Sequence, residues 1–194
     1  IAWAVGFSGT ILYTNDGGTS WNKQVSGTAL SLTGVSSADA SNAWAVGVDG
    51  LVLHTDNGGT AWSEKRISTQ WMLEGVSAVD SNTAWVVGGY GRLPHLAVYH
   101  TTDGGASWHS QWPGEIGHVG YLSEVSAVDA NTAWITGTDG AGHGAILHTD
   151  NGGNTWNIQN SGTDQRLTGI SATDINNVWA VGHDGVITHL SPSI

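Results

Sequence analysis

A nine-residue phrase that occurs four times constrains the fold of this chain more than any other feature. It reads YTNDGGTSW at residues 13–21, HTDNGGTAW at 54–62, HTTDGGASW at 100–108 and HTDNGGNTW at 148–156. A second phrase, AWAVG or a close variant, occurs five times, with its tryptophan at positions 3, 44, 85, 134 and 179. These tryptophans are spaced 41, 41, 49 and 45 residues apart, so the chain consists of repeats.

Each repeat contains four short segments in a fixed order. They are L-x-x-V-S-x-x-D, AWAVG, an apolar run such as LVLHT, and the segment at the tryptophan that ends T-x-[DN]-x-G-x-x-W. Segments of four to eight β-branched or aromatic residues bounded by Gly, Asp or Asn predict strands and tight turns. Four such strands in a period of about 40–50 residues are typical of a propeller blade, whose sheet is covered on both faces. We therefore predict an all-β propeller of four-stranded blades, with strands A to D in chain order.

The counts of these segments predict five blades, two of them incomplete. Strands B and C occur five times and strands A and D four times, so the first blade lacks strand A and the last lacks strand D. We expect one domain, 1–194, with blade repeats at about 1–28, 29–69, 70–118, 119–163 and 164–194. The opening IAWAVG indicates a processed chain or part of a larger ring. Unpaired blade edges also favour self-association that completes the propeller.

Composition excludes several classes of partner and chemistry. The net charge is −11 with only five Lys and Arg, which argues against binding nucleic acid or anionic membranes. No apolar run approaches about 18 residues, so membrane insertion is not expected. The chain has no cysteine, which excludes disulfides, Cys-ligated metals and a thiol nucleophile. Nothing in the sequence indicates a cofactor.

The fourfold phrase is interpreted as a structural joint between strands C and D. One position alternates between Asp and Asn, which share an oxygen that can accept hydrogen bonds from the turn. A catalytic acid would not tolerate that exchange, and a calcium loop would need more carboxylates. The glycines allow positive φ, and the tryptophans are large enough to pack between sheets. The joint comprises Asp16, Gly18, Trp21, Asn57, Gly59, Trp62, Asp103, Gly105, Trp108, Asn151, Gly153 and Trp156.

A histidine recurs at one repeat position, which raises the alternative of a metal ring. His54, His100, His148 and His189 occupy this position, and Tyr13 is its fifth member. Equal positions on different blades would hold the imidazoles far apart, whereas metal ligands must converge. We therefore interpret each histidine as bonding within its own blade and predict no metal site.

These motifs resemble a known family. T-x-[DN]-x-G-x-x-W resembles the Asp-box, or BNR repeat, of sialidases and sortilin-type receptors. The fuller phrase L-x-x-V-S, AWAVG, G-x-I-L-x-T-x-DGG-x-x-W resembles the Ycf48-like family, relatives of the photosystem II stability and assembly factor. The resemblance implies a non-catalytic propeller outside the cytoplasm, secreted, periplasmic or lumenal, which binds a protein through a basic patch. The chain departs from that pattern, since its basic residues are only Lys23, Lys65, Arg66, Arg92 and Arg166.

If the joint is structural, function is expected where the repeats differ. The insertions are GYGRLPH (89–95), HSQWPGEIGHVG (109–120) and TDGAGHG (138–144), which lie in B–C loops or D–A connections. In a four-stranded blade these connections share the end opposite to the joint. Irregular loops on a rigid scaffold commonly carry binding sites. The candidate ligand-binding residues are Trp71, Tyr90, Arg92, Trp112, Glu115, His118, Tyr121 and His143.

The sequence leaves three functions open. The first is a non-catalytic scaffold that binds a protein, and the second is a lectin that binds a glycan on the same loops. The third is a fragment of a sialidase-like glycoside hydrolase, because Arg92-Leu93-Pro94 resembles the Arg-x-Pro element of sialidases. That element precedes the Asp-boxes in sialidases but follows two of them here, and Glu64 and Glu115 do not identify a carboxylate pair. We therefore predict binding without catalysis, with a protein or glycan ligand.

Overall fold

The chain folds into five antiparallel sheets. The computed structural model describes residues 1–67, 71–89, 96–111 and 119–190. Within these residues the first sheet contains β1 (Ala2–Gly6), β2 (Thr10–Thr14) and β3 (Asn22–Gln24). The second contains β4 (Leu32–Ser37), β5 (Ala43–Gly47), β6 (Val52–Thr55) and β7 (Ser63–Glu64).

The remaining sheets repeat the same order. The third contains β8 (Met72–Ala78), β9 (Ala84–Gly89), β10 (Leu96–Thr101) and β11 (His109–Ser110). The fourth contains β12 (Val119–Ala127), β13 (Ala133–Asp139), β14 (Gly144–Thr149) and β15 (Asn157–Gln159). The fifth contains β16 (Leu167–Asp174), β17 (Asn177–Gly182) and β18 (Ile187–Leu190).

This architecture confirms the predicted all-β propeller with five recognisable blades. Strands follow one another across each sheet in chain order, as an up-and-down blade requires. The first and fifth described sheets have three strands, which correspond to B–C–D and A–B–C. The described helical turns are Val48–Gly50 and His183–Gly185, and no helix in the described ranges is long and apolar enough to cross a membrane. The exact blade boundaries and the single-domain division stay predictions.

The hydrophobic core lies between blades because strand B alternates which neighbour it contacts. Ala43 and Ala45 of β5 pack toward the first blade, whereas Trp44 and Val46 pack toward the third. All four side chains are fully buried. In a two-sheet sandwich, each sheet has one face in water, and its strands alternate apolar and polar residues. Strand B of the second blade is buried on both faces, which explains its continuous apolar run AWAV.

Tryptophans of the fourfold joint connect the second, third and fourth blades to the blade that precedes each of them. Trp108 of the third blade stands edge-on against Trp44 of the second, with ring centroids 5.8 Å apart and planes at 85°. Its indole N–H donates to the Lys65 carbonyl, 3.2 Å away, at the end of the preceding outer strand. The same contact recurs one blade later between Trp156, Trp85 and the Gln111 carbonyl (5.8 Å and 88° between the rings, 3.0 Å for the hydrogen bond).

Between the first two blades a side chain takes the place of that backbone carbonyl. Gln24 Oε1 accepts from the indole N–H of Trp62, at 3.1 Å, and from that of Trp3, at 3.3 Å. Its amide group donates to the Gly58 carbonyl at 2.8 Å. One glutamine therefore connects both tryptophans and the glycine pair of the next blade.

Candidate binding face

The two ends of each blade differ in structure, and this difference locates the candidate residues. At one end the C–D turn bonds to the A–B turn of the same blade. The glycine N–H donates to a carbonyl in three blades: Gly58 to Ser41, Gly104 to Asn82 and Gly152 to Asn131, at 2.9, 3.0 and 2.9 Å. We call this the Asp-box end. The other end, which carries the B–C turns and D–A connections, is called the loop face.

The Asp-box turn is closed by its own threonine and its Asp or Asn. In the second blade the Thr55 hydroxyl donates to Asn57 Oδ1 at 3.0 Å and accepts from the Gly59 N–H at 2.9 Å. Asn57 Oδ1 also accepts from the Ala61 N–H at 2.9 Å. One side-chain oxygen makes these contacts, so a carboxylate and an amide are equivalent at this position.

The other three copies reproduce this geometry. The threonine-to-Oδ1 distances are 2.7, 2.8 and 3.1 Å for Asp16, Asp103 and Asn151, respectively. Hydrogen bonds from the side chain and the N–H of Ser107 lower the pKa of Asp103 to about 2, and those from Ser20 likewise lower the pKa of Asp16. The carboxylates of Asp16 and Asp103 thus form hydrogen bonds within their own turns, which supports the structural interpretation of the joint.

On the loop face, turns of one blade bond to the connection that leads into the next. The Gly50 N–H of a B–C turn donates to the Trp71 carbonyl at 2.9 Å, and the Ile67 N–H donates to the Gly50 carbonyl at 2.9 Å. Trp71 is half-buried and directly precedes β8. It therefore lies on the face where the sequence analysis expects it.

Tyr121 forms the centre of a polar cluster on the innermost strands. Its hydroxyl donates to Glu74 Oε1 of the preceding blade at 2.5 Å. The guanidinium carbon of Arg166 lies 4.7 Å from the centre of the Tyr121 ring, a cation–π contact. Burial, followed by the hydrogen bond and charge of Glu74, raises the pKa of Tyr121, so its phenol remains a neutral donor.

Glu124 is a second carboxylate of this cluster. Burial raises its pKa to about 7, and the negative charge of Glu74 acts in the same direction. Glu74, Glu124 and Arg166 were not among the expected ligand-binding residues. A signal was nevertheless present in the L-x-x-V-S motif, whose third residue is Gly34, Gly75 or Gly169 in the other blades and Glu124 here.

His143 lies in the B–C loop of the fourth blade and is exposed. Its ring Nδ1 lies 3.1 Å from Asp139 Oδ2, while Asp139 Oδ1 accepts the N–H groups of Ala141 and His143 at 2.8 Å each. The loop is thus held by its own aspartate. A polar recess of about 430 Å³ opens beside it, lined by Asp139, His143, Gly144, Gln159, Asn160, Ser161, Gly162, Thr163 and Asp164.

The other expected residues lie outside the described part of the chain. These are Tyr90 and Arg92 in the segment 90–95, and Trp112, Glu115 and His118 in the segment 112–118. The structure brings Tyr121 together with Glu74 and Arg166, and it places His143 beside the polar recess. Whether the full candidate set forms one site therefore stays a prediction.

A second groove of about 510 Å³ lies toward the Asp-box end, between the second and third blades. Trp62 and Lys65 of the second blade form one side, and Ser81 and Asn82 of the third form the other. Its polar and apolar groups come largely from the repeated joint, so it carries less repeat-specific chemistry than the loop face.

The repeated histidines stack on the tryptophan opposite them in the sheet. The His54, His100 and His148 rings lie 3.9, 4.0 and 4.6 Å from Trp44, Trp85 and Trp134, at interplanar angles of 21°, 12° and 24°. Burial lowers the pKa of all three imidazoles. Within the described ranges, no group of three or more His, Cys, Asp or Glu side chains is arranged to hold a metal ion.

Comparison with known proteins identifies the family of this fold. The family model described as Photosynthesis system II assembly factor YCF48 matches residues 1–123. The chain belongs to the YCF48 family. No curated protein matches the chain. YCF48 structures nevertheless share its fold, and this likeness extends beyond the matched residues into the fourth and fifth blades.

Two YCF48 structures and one enzyme illustrate this similarity. YCF48 bound to D1 peptide is 22% identical with a TM-score of 0.62, over 85% of this chain and 52% of that one. YCF48 from Cyanidioschyzon merolae is 22% identical with a TM-score of 0.71, over 99% of this chain and 63% of that one. An ancestral GH74 enzyme is 16% identical with a TM-score of 0.63, over 94% of this chain and 29% of that one. The chain thus spans between half and two thirds of these YCF48 structures.

Proposed function

We propose that this chain is a non-catalytic propeller module that binds a segment of a partner protein on its loop face. The observation that carries the proposal is the position of the departures from the repeat. Tyr121, Glu74 and Glu124 replace or extend the repeat pattern on neighbouring inner strands, and Arg166 joins them from the next blade. Membership of the YCF48 family adds support, since one YCF48 structure is described as bound to D1 peptide.

The charge of this chain favours a basic partner segment. The net charge is −11, and the described loop face includes the acidic side chains of Asp139 and Asp164 beside its polar recess. Opposite charge accelerates association and disfavours partners of like charge. A cationic peptide is therefore the ligand class that we expect first.

Three parallel binding assays distinguish the open functions. Purified protein is applied to short peptides graded from acidic to basic, to a glycan array, and to a panel of aryl glycosides. We expect binding to the basic peptides, no glycan signal and no turnover. Glycan signal without peptide binding would instead establish a lectin, and turnover would establish a glycoside hydrolase. Either result would refute the proposed protein scaffold.

A matched pair of histidine variants locates the binding surface. His143→Ala alters the loop face, whereas His109→Ala alters an exposed histidine at the start of β11, the strand that follows the Asp-box turn. Both side chains are exposed, so neither change disturbs the interblade core. We expect weaker peptide binding for His143→Ala and unchanged binding for His109→Ala. Equal effects of the two variants would place the ligand elsewhere.

We further propose an extracytoplasmic location, on the basis of the family resemblance. Expression of the complete gene with a C-terminal tag, followed by cell fractionation, tests this location. We expect the tag in the lumenal, periplasmic or secreted fraction. Recovery only with cytoplasmic marker proteins would contradict it.

Self-association is proposed for the 194-residue chain through its end blades. Trp179 and Ile187 of the fifth blade are 50% and 69% exposed, although the equivalent Trp44 and Val52 are fully buried by the next blade. Apolar surface of this kind favours a covering partner. Sedimentation over a range of concentrations tests the proposal, with Ile187→Asp expected to reduce association. A monomer at every concentration would refute it.

A further inference from the structure

Two of the four Asp-box turns contain an Asn-Gly pair, and the sequence has no other such pair. The pairs are Asn57-Gly58 in the second blade and Asn151-Gly152 in the fourth. Asn-Gly is prone to deamidation because glycine has no side chain to hinder the attack of its own nitrogen on the asparagine side chain. Both asparagines are exposed, so water reaches the reacting atoms.

Deamidation consumes water and releases ammonia. Hydroxide removes the proton of the Gly58 N–H, the glycine nitrogen bonds to Cγ of Asn57, and the side-chain amide nitrogen leaves as ammonia. Water then opens the resulting succinimide ring. Breaking the new bond gives aspartate, whereas breaking the original peptide bond gives isoaspartate, whose backbone is longer by a methylene group.

In the folded chain the attacking nitrogen is held by a hydrogen bond to the A–B turn. The Gly58 N–H donates to the Ser41 carbonyl at 2.9 Å. The Gly152 N–H donates in the same way to the Asn131 carbonyl, also at 2.9 Å. Attack therefore requires a local opening of the turn, and a slow reaction of this kind proceeds in proportion to the population of the open form.

The side-chain oxygen of each asparagine is also held equally in the two blades. It accepts one hydrogen bond from the hydroxyl of the Asp-box threonine and one from the N–H group four residues further along. The two distances are 3.0 and 2.9 Å for Asn57, and 3.1 and 3.0 Å for Asn151. These contacts therefore protect both sites to a similar extent.

The side-chain nitrogen, which leaves as ammonia, distinguishes the two sites. Asn151 Nδ2 donates to the Thr155 hydroxyl at 2.7 Å. The equivalent residue of the second blade is Ala61, which has no hydroxyl group. Within the described ranges, Asn57 Nδ2 has no hydrogen-bond partner. Opening the turn around Asn151 therefore breaks one more hydrogen bond than opening it around Asn57.

We propose that Asn57 is a deamidation site of the folded chain and that Asn151, in the same kind of turn, is protected by Thr155. The sequence controls the comparison, because residues 54–59 and 148–153 both read HTDNGG. The intrinsic reactivity of an Asn-Gly pair depends on its immediate neighbours, so it is matched at the two sites. A neutral hydrogen bond changes the population of the open form by roughly 2- to 10-fold.

A second contact differs between the two blades and concerns the following peptide group. The Gln24 amide donates to the Gly58 carbonyl at 2.8 Å. This carbonyl is neither the attacking nor the leaving group, so the contact leaves the Asn57 side chain unrestrained. Substitutions at residues 61 and 155 keep this contact and isolate the contribution of the threonine hydroxyl.

The two products have different consequences for the turn. Aspartate retains it, because Asp16 and Asp103 occupy this position in the first and third blades and accept from their threonines at 2.7 and 2.8 Å. Isoaspartate displaces Gly58 and so breaks its hydrogen bond to Ser41, which connects the C–D turn to the A–B turn. Either product adds a negative charge to a chain whose net charge is already −11.

Peptide mapping by mass spectrometry measures the reaction at each site. The folded chain and the chain unfolded in urea are incubated side by side at mildly alkaline pH. The protection factor of a site is its deamidation rate in urea divided by its rate in the folded chain. We expect the protection factor of Asn57 to be smaller than that of Asn151 by about 2- to 10-fold. Equal factors, or a smaller factor at Asn151, would overturn the proposal.

Two exchange variants test whether the hydroxyl causes the difference. Ala61→Thr supplies the missing acceptor beside Asn57, and Thr155→Ala removes it from Asn151. Both positions are exposed, so neither change disturbs the interblade core. We expect Ala61→Thr to raise the protection factor of Asn57 and Thr155→Ala to lower that of Asn151, while the unaltered site in each variant serves as the internal control. Unchanged protection at the altered sites would show that Thr155 does not protect Asn151.

Discussion

Replacing Trp156 by alanine should show how much each interblade tryptophan contributes to stability. This side chain is 5% exposed and stands edge-on against Trp85. Its indole N–H donates to the Gln111 carbonyl at 3.0 Å. Trp21 occupies the same position of the repeated joint in the first blade but is 44% exposed. The two positions therefore compare one substitution with and without a blade to pack against.

The expected cost follows from the buried area. A buried tryptophan removes roughly 200 Å² from water, which at about 25 cal/mol per Å² corresponds to about 5 kcal/mol. Large-to-small substitutions of buried aromatic residues cost about 3–5 kcal/mol, in agreement with this value. We expect Trp156→Ala to cost about 4 kcal/mol. For a chain of this size, that lowers the melting temperature by roughly 8–16 °C.

Differential scanning calorimetry of three variants separates the contributions. Trp156→Phe retains an aromatic ring but loses the N–H donor. Its destabilisation should therefore exceed the value expected from the lost buried area by about 1 kcal/mol. Trp21→Ala should cost less than half as much as Trp156→Ala. If Trp21→Ala destabilises the chain as much as Trp156→Ala, the stabilisation comes from within the turn and not from packing between blades.

Three further predictions concern the repeated positions. Asp103→Asn should leave the melting temperature unchanged, because Asn151 makes the corresponding contacts in the fourth blade, whereas Asp103→Ala should lower it. His100→Phe should reduce the stability that the chain loses on acidification, as measured by thermal melts. Burial lowers the pKa of the wild-type imidazole, so its contribution to the free energy of unfolding is complete above pH 6.5. Below that pH the contribution is lost by at most about 1.4 kcal/mol per pH unit. Gly59→Ala should destabilise the chain more than Gly17→Ala in urea unfolding. Both residues have positive φ, of 79° and 75°, which costs alanine about 1–2 kcal/mol, but only at Gly59 would a Cβ meet Gln24. Equal losses for the two glycine variants would contradict the steric explanation.

The blade architecture was predictable because its determinants are local in the sequence. Thr55, Asn57 and Gly59 close their turn through contacts two to four residues apart. The pairing of strands B and C follows from the short turn between them. The continuous apolar run AWAV follows from burial on both faces of the blade. Each of these features repeats four or five times, so one misleading segment does not change the predicted fold.

The inner cluster was not predicted because it depends on contacts between repeats. Tyr121 and Glu74 are 47 positions apart in the sequence and meet only when two blades are adjacent. Glu124 departs from a glycine position, but its neighbours depend on how closely two inner strands approach. Comparison of equivalent positions would have found the substitution. It would not have shown that the hydroxyl of Tyr121 donates to Glu74 of the preceding blade.

Gln24 has a consequence for exchanging blades between propellers. At the later junctions the indole N–H bonds to the backbone carbonyl of Lys65 or Gln111, which any residue supplies. At the first junction the acceptor is a side-chain oxygen, so the identity of residue 24 matters. Because stability in such arrays is approximately a sum of nearest-neighbour terms, a blade should be transferable as a cassette. The first junction should require that its glutamine be transferred together with the tryptophan-bearing blade that follows it.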